Sequence, residues 1–214
     1  MRVRLHLRVL LMTAAGVVSL MVAAPAAARS GMAPAGTIPG SAMLQPADLA
    51  GAVPVPADQD LWPWLRPPAP HAYLSRVGVR TAERAVRVVY PVAETQPTVL
   101  LEYVAVYRGM GAERYLWRLR GAVSRPHARC AADGRTWRLA ATGVAGRDSL
   151  LLSVSQTVQY PDGTGRVQTA YVAVARVGHA LVVVADVGWE YGDGHRSLTR
   201  RLAPVAVRRA AQLR

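Results

Sequence analysis

Residues 149–187 read SLLLSVSQTVQYPDGTGRVQTAYVAVARVGHALVVVADV, and the rest of the predicted fold is arranged around them. From position 149 to 160, apolar and polar residues alternate. Side chains of a β-strand point alternately to the two faces of its sheet, so the alternation predicts a half-buried strand. Residues 161–165 are turn formers, and Gly178-His179 fits a two-residue hairpin with glycine at its first central position. The stretch therefore predicts three consecutive antiparallel strands over 149–160, 167–177 and 180–187.

The hairpin turn also predicts which residues pair. With a two-residue turn, Val177 pairs with Ala180, and counting outward pairs Tyr171 with Asp186. The face that bears this last pair is otherwise lined by small side chains, which leave room above a sheet, while the opposite face should meet the helices. A carboxylate at the margin of an apolar surface needs a partner. We expect the first face to floor a ligand cleft, with Tyr171 and Asp186 as its polar contacts.

The same face has an alternative interpretation. A loop, or the two tryptophans of the Leu61–Leu65 segment, would fill the space above the sheet, and Tyr171 would simply hydrogen-bond Asp186. Trp62 and Trp64 stand in a proline-rich segment and are expected to pack back onto the domain, because aromatic side chains bury large areas.

Further strands and helices flank the central stretch. Strands are predicted over 85–92, 98–107 and 136–141, and helices over 112–125 and 198–213, where Pro204 should kink the second helix or mark a restart. Strands joined by tight turns, with helices inserted between groups, indicate an α+β fold. We expect a mostly antiparallel sheet packed with two main helices and preceded by a Pro/Ala-rich arm.

Trp117 stands apart on the first predicted helix. It falls away from the apolar stripe, among Glu113, Gly121 and Ser124. A tryptophan on a polar face, with glycine one turn on, is a candidate ligand-binding residue. The alternative is that the proline-rich arm folds over it, since apolar patches are usually covered in a monomer.

The first 70 residues predict an export signal followed by an arm. Residues 1–28 combine an arginine-rich start, an apolar run and Ala26-Ala27-Ala28, the pattern of a signal peptide that is cleaved to leave a mature chain starting near Arg29. An uncleaved membrane anchor is the alternative. Residues 29–70 are rich in Pro, Gly and Ala and form the arm, with a short helix near 45–51. Residues 71–214 form the α+β domain.

Composition excludes several function classes. The 214-residue chain carries a formal net charge of +13 and has no lysine. A P-loop lysine, a kinase ATP-binding lysine and a pyridoxal-phosphate lysine are therefore absent, and no Gly-x-Gly-x-x-Gly sequence indicates a dinucleotide site. A basic protein suits anionic partners. For an exported chain we expect an anionic polymer or lipid at the arginines of the last helix and no nucleic acid, since no recognition motif accompanies them.

Two short patterns raise chemical alternatives. His127 and Cys130, the only cysteine, could start a zinc site or form a nucleophilic pair, although zinc needs more ligands. Glu190, Asp193 and His195 could hold a cation, but their Gly-Asp-Gly context is equally an ordinary turn. No Gly-x-Ser-x-Gly elbow is present. We therefore expect no metal, no cofactor and no catalytic residues. The alternatives are an envelope hydrolase and a structural accessory protein that adheres to anionic wall polymers.

Three segments resemble one family. They are Met43-Leu44-Gln45-Pro46-Ala47-Asp48-Leu49, the strand-to-helix segment around Tyr103–Tyr107 and Gly111–Leu116, and the hairpin at Tyr171–Gly178. Together they resemble the PknH-like extracellular sensor domains of actinobacteria, over about residues 42–213. The resemblance implies a non-catalytic α+β domain with a cleft for an unidentified ligand. Such domains usually carry paired cysteines, which this chain lacks. The expectation is a secreted or cell-envelope protein that binds an unknown small ligand or envelope component beside its sheet.

Overall fold

The structure is a computed structural model that describes residues 36–61, 64, 78–93, 96–124, 134–160 and 163–213. All of these belong to one compact unit, Pro34–Arg214. The predicted signal peptide and the His127–Cys130 pair lie outside the described residues.

A seven-stranded antiparallel sheet dominates the fold and confirms the α+β prediction. Its strands follow the spatial order β1-β2-β3-β7-β6-β5-β4. The strands are β1 Val55–Pro56, β2 Arg80–Ala93, β3 Gln96–Tyr107, β4 Thr136–Thr142, β5 Ser149–Gln159, β6 Gly165–Val177 and β7 Ala180–Asp186. In the described residues two longer helices accompany the strands, α1 Gly111–Val123 and α2 Arg196–Ala210, and α2 continues through Pro204. Within the described residues, no helix is both long and apolar enough to cross a membrane.

The β6–β7 hairpin has the predicted register. Val177 pairs with Ala180 and Tyr171 with Asp186. Gly178 closes the turn at φ 57°, a left-handed conformation that glycine adopts without steric cost. On its other side β7 pairs with β3, so the hairpin occupies the middle of the sheet. Every residue of β7 is buried, as its nearly continuous apolar sequence requires.

Both faces of the sheet are covered. On the α1 face, Leu116 and Leu119 of α1 join a core that includes Leu152 and Val183. On the α2 face, α2 and the arm residues 36–52 cover the sheet. The arm and helix side chains in this second core are Ile38, Ala42, Met43, Leu44, Leu49, Leu198, Leu202, Ala206 and Ala210.

Coverage of both faces corrects the prediction that the strand at 149–160 is half-buried. Residues Ser149 to Leu152 of β5 are all buried. Leu150 and Leu152 belong to the α1 face, whereas Leu151 packs against Ala173 and the α2 residue Ala203 on the other face. Successive side chains of β5 therefore do point to opposite faces, but the face that carries the polar residues becomes exposed only in the second half of the strand.

The arm packs on the domain as predicted. Pro46–Asp48 forms one turn of 3-10 helix at the position of the predicted short helix. Trp64 is 7% exposed and belongs to the α1-face core. The guanidinium carbon of Arg135 lies 4.0 Å from the centroid of its ring, within range of a cation–π contact. Packing back is thus confirmed for Trp64, while Trp62 lies outside the described residues.

Candidate functional site

The face predicted to floor a cleft is covered by α2. Tyr171 and Asp186 do share this face, opposite each other. However, Ala173 packs against Ala203, and Val182 and Val184 belong to the core that α2 covers. The cleft prediction is therefore wrong, because the small side chains accommodate a closely packed helix. The alternative Tyr171–Asp186 hydrogen bond is also absent among the described contacts, and Tyr171 is only partly buried.

Asp186 instead holds the loop that follows β7. Its carboxylate is fully buried. One oxygen, Oδ1, accepts hydrogen bonds from the Thr98 hydroxyl and from the Gly188 backbone N–H at 3.0 Å. The other, Oδ2, lies 2.8 Å from the backbone nitrogen of His195 and 3.2 Å from its ring Nδ1. Two of these four contacts hold His195, and with it the start of α2, against the end of β7, and the other two join the carboxylate to β3 and to the loop.

The loop between β7 and α2 is tightly built. The Gln168 side-chain amide donates to the carbonyl oxygens of Gly192 at 2.7 Å and Glu190 at 3.2 Å. A Cβ at Gly188 would lie 2.0 Å from the backbone oxygen of Gly192, and a Cβ at Gly194 only 2.2 Å from the backbone oxygen of Asp186. Glycine is therefore required where the loop folds back on itself.

The structure separates the three potential cation ligands of this loop. Asp193 accepts a hydrogen bond of 2.8 Å from the Thr169 N–H and pairs with Arg166, while His195 turns to Asp186. Across the described part of the chain, no group of three or more His, Cys, Asp or Glu residues is placed to hold a metal ion.

His195 lines a cavity of about 290 Å³ beside the start of α2. Arg201, one of its walls, donates a hydrogen bond of 2.7 Å to the Tyr90 hydroxyl. The lining residues are Tyr90, Pro91, Val92, His195, Ser197, Leu198 and Arg201. We call this cavity the His195 pocket. These described lining residues include a cationic guanidinium and no carboxylate.

A larger groove of about 390 Å³ lies against α1 and contains Trp117. Its lining residues are Glu113, Arg114, Leu116, Trp117, Arg120, Asp148 and Arg176. We call it the Trp117 groove. Trp117 is 74% exposed, so the described part of the arm does not cover it. Most of the proline-rich segment around Trp62, which the alternative interpretation places over this ring, lies outside the described residues.

Helix periodicity places the groove residues. Tyr115, Leu116 and Leu119 are buried in the core, which turns Trp117 outward. Arg114 and Arg120 lie three positions before and after it, so both flank the indole on the helix surface. Gly121 follows, with open space where its side chain would be.

The opposite wall of the groove is an ion-pair cluster. Arg176 of β6 donates from Nε to the Asp148 carboxylate at 3.1 Å and from Nη2 to the same oxygen. Its Nη1 lies 3.9 Å from the Glu113 carboxylate. Both acidic groups of the groove thus face Arg176. Among the described ion pairs, none involves Arg114 or Arg120, so these two cations stay available beside the indole.

Among the described arginines predicted to form a basic surface on α2, Arg209 is the one that is paired with a carboxylate. Arg201 bonds Tyr90, and Arg209 forms two hydrogen bonds with Asp48. Arg200 and Arg208 are exposed. Arg214 lies outside the described residues.

Sequence reasoning identified Trp117 but missed its neighbours. Arginines three positions on either side of an off-stripe tryptophan were a readable signal for Arg114 and Arg120. No local pattern connects Asp148 and Arg176 with α1, because they reach the groove through the packing of the sheet against the helix. The contact between Asp186 and His195 could not be predicted either, because it forms only when the loop between them folds back.

No protein-family model, curated protein or solved structure matches this chain.

Proposed function

We propose that this is a secreted cell-envelope protein that binds an anionic envelope polymer, without catalysis, in the Trp117 groove. The observation that carries the proposal is the 74% exposure of Trp117 in a groove it shares with Arg114 and Arg120. A tryptophan side chain left in water forgoes the free energy that its burial would contribute to folding. Large exposed apolar groups therefore often mark interaction sites.

The groove suits a ligand with both flat apolar and anionic parts. The indole face offers a broad surface for van der Waals contact with a sugar ring. Guanidinium groups bind carboxylate and phosphate oxygens through paired N–H donors. An acidic polysaccharide supplies both chemistries in every repeat unit, and the open groove is compatible with a chain that continues past it. The predicted signal peptide and the resemblance to extracellular sensor domains support the same environment.

The binding test uses the secreted chain and a defined polymer. We expect isothermal titration calorimetry to detect binding of polygalacturonate, an acidic polysaccharide, and none of dextran, a neutral one. Trp117→Ala should weaken binding by about tenfold or more, the size typical of a buried aromatic contact at an interface. Met110→Ala is the matched control, because Met110 is 57% exposed and lies just before α1, outside the groove.

The same titration separates this proposal from simple adhesion. An accessory protein that adheres to wall polymers through its net charge would lose binding on Arg200→Gln or Arg208→Gln and keep it on Trp117→Ala. That outcome would show that the polymer binds at α2 and not in the Trp117 groove on α1.

An envelope hydrolase is the second candidate, and the Asp186–His195 pair favours it. A buried carboxylate that orients an imidazole is the arrangement of a general base. However, no described Ser, Thr or Cys side chain hydrogen-bonds to His195 as an activated nucleophile would. We expect no turnover of ester or peptide substrates. Turnover that disappears in His195→Gln would assign the protein to the hydrolases.

A further inference from the structure

The His195 pocket lies on the α2 side of the sheet, away from the Trp117 groove on the α1 side. Two of its polar groups are fixed from behind by other parts of the protein, and the proposed polymer binding uses neither. The pocket therefore calls for an explanation of its own.

The first fixed group is the His195 imidazole. Its Nδ1 is 3.2 Å from Asp186 Oδ2, and the backbone nitrogen of the same residue is 2.8 Å from that oxygen. Since Nδ1 is engaged and Nε2 lies on the far side of the ring, Nε2 is the nitrogen left for a ligand. The side chain is 38% exposed, whereas the carboxylate behind it is fully buried. The ring is thus held in one orientation but remains accessible.

The second fixed group is the Arg201 guanidinium. One Nη2 hydrogen bond of 2.7 Å ties it to the Tyr90 hydroxyl, and the guanidinium carbon lies 5.9 Å from the Tyr90 ring centroid. A guanidinium carries five N–H donors, so one bond to a neutral hydroxyl leaves most of them unused. No ion pair of Arg201 occurs among the described residues, and its positive charge is therefore uncompensated within the pocket.

The remaining polar group is the Ser197 hydroxyl, which also lines the cavity. Guanidinium, imidazole and hydroxyl thus belong to residues that line one space of about 290 Å³. The guanidinium carries a positive charge, and both it and the hydroxyl can donate hydrogen bonds, while Nε2 is the ring nitrogen that the imidazole leaves free. The positive charge disfavours a cation, whereas an oxyanion with several acceptor oxygens suits the guanidinium and hydroxyl donors.

We propose that the His195 pocket binds a phosphate group, either as free phosphate or on a small phosphomonoester. A phosphate group has several acceptor oxygens, so one group can accept hydrogen bonds from more than one residue of the pocket at once. A cavity of about 290 Å³ is larger than one phosphate needs, which leaves room for a small organic group against Pro91 and Val92.

The test is an NMR titration of the secreted chain at constant ionic strength, following the imidazole C–H signals. The signal that disappears in His195→Gln assigns the pocket. Addition of inorganic phosphate should shift this signal saturably, and Arg201→Gln should raise the fitted Kd for phosphate tenfold or more. Arg200→Gln is the matched control: it removes the same charge from the neighbouring helix position but does not line the pocket. It should change Kd less than twofold.

Separate ligands identify the source of the phosphate. Glycerol phosphate binding more tightly than inorganic phosphate would support a phosphomonoester, and the reverse order would support free phosphate. Equal binding of acetate through the same side chains would overturn the assignment in favour of a carboxylate. Absence of saturable binding, or equal losses in Arg200→Gln and Arg201→Gln, would overturn the site itself.

This inference stands independently of the Trp117 groove. Trp117→Ala should leave phosphate binding unchanged, and Arg201→Gln should leave polygalacturonate binding unchanged. Failure of one proposal is therefore distinguishable from failure of the other.

Discussion

The carboxylate of Glu102 accepts a hydrogen bond of 2.8 Å from the backbone N–H of Leu44, a residue 58 positions earlier in the chain. The contact joins the central strand β3 to the arm. Glu102 is only 2% exposed, and its Oε1 atom has no hydrogen-bond partner in the described part of the chain. Burial, assisted by the negative charge of Asp48, raises the pKa of Glu102 to about 8, against the opposing effects of the Leu44 N–H, Arg209 and Arg84. The arm is therefore docked over a carboxyl group that favours its neutral form.

The first prediction concerns pH. In the unfolded chain Glu102 ionises near pH 4.5, and in the folded protein near pH 8. Between these values the folded state binds the extra proton, so the contribution of Glu102 to stability is complete below pH 4.5 and declines as pH rises to about 8. The slope should approach about 1.4 kcal/mol per pH unit. Urea unfolding of the wild type at a series of pH values measures it.

Glu102→Gln should remove this slope while keeping an oxygen acceptor for the Leu44 N–H. Glu113→Gln serves as the control, because its side chain is 51% exposed and it should leave the slope in place. An unchanged pH profile in Glu102→Gln would show that the arm does not depend on this group.

The second prediction concerns the other anchor of the arm, Asp48. Its two oxygens pair with Nε and Nη2 of Arg209 at 3.0 and 3.2 Å, and Oδ2 also accepts the Gln45 N–H at 2.9 Å. Burial by itself would raise the pKa of Asp48, but these donors outweigh it and hold the pKa below its usual value. This stabilisation is present above the ordinary aspartate pKa and is lost as pH falls through the lower, folded-state pKa.

Asp48→Ala should therefore cost about 1–3 kcal/mol at neutral pH. Amide hydrogen exchange should accelerate first in the arm, at Met43 and Leu44, rather than in β7. Asp60→Ala, an exposed change in a neighbouring 3-10 turn, should leave both quantities unchanged. Uniform acceleration across the sheet would mean that the arm does not open as a separate unit.

The third prediction contrasts two glycines of α1. Gly121 has open space around the position of a Cβ, so Gly121→Ala should raise the free energy of unfolding by about 0.5–1 kcal/mol through helix propensity. At Gly111 a Cβ would stand 2.6 Å from the Cβ of buried Tyr107, so Gly111→Ala should cost about 1–3 kcal/mol. Thermal unfolding of the two variants should therefore move in opposite directions, and equal shifts would contradict the packing of α1 on β3.

How far the sequence predicts this fold depends on how local each signal is. The turn at Gly178 fixes the β6–β7 register by itself, so the pairing of Tyr171 with Asp186 followed from counting. The sequence does not predict which face of the sheet α2 covers. The apolar stripe of a helix shows that the helix packs against something, but not on which side of a sheet it packs. A small side chain such as that of Ala173 leaves room for a ligand, but it equally allows the close approach of Ala203.

The candidate sites divide in the same way. Trp117 was visible from helix periodicity, which is a local property of α1. His195 was noticed as a possible metal ligand, but its contact with Asp186 depends on a nine-residue reversal of the chain. Only the glycines at 188, 192 and 194 hinted at that reversal, and they do not tell which side chains it brings together.

The last prediction tests Asp186 as the group that holds this reversal. Asp186→Ala would leave the Thr98 hydroxyl and the backbone N–H groups of Gly188 and His195 without their acceptor at a buried position. Leaving buried donors unpaired costs far more than the net value of their hydrogen bonds, so we expect the free energy of unfolding to fall by about 3–5 kcal/mol.

Two further variants serve as comparisons. Asp193→Ala, in the same loop but with a side chain 47% exposed, should lower the free energy of unfolding by no more than about 1 kcal/mol. Thr98→Val removes one of the four contacts and should fall between the two. Urea unfolding of the three variants ranks their losses of stability. If the buried Asp186 carboxylate accepts all four contacts, the loss should be largest at Asp186, intermediate at Thr98 and smallest at Asp193. A loss at Asp186 no greater than that at Asp193 would show that the His195 ring is not held from behind, and the pocket would then lose its rigid wall.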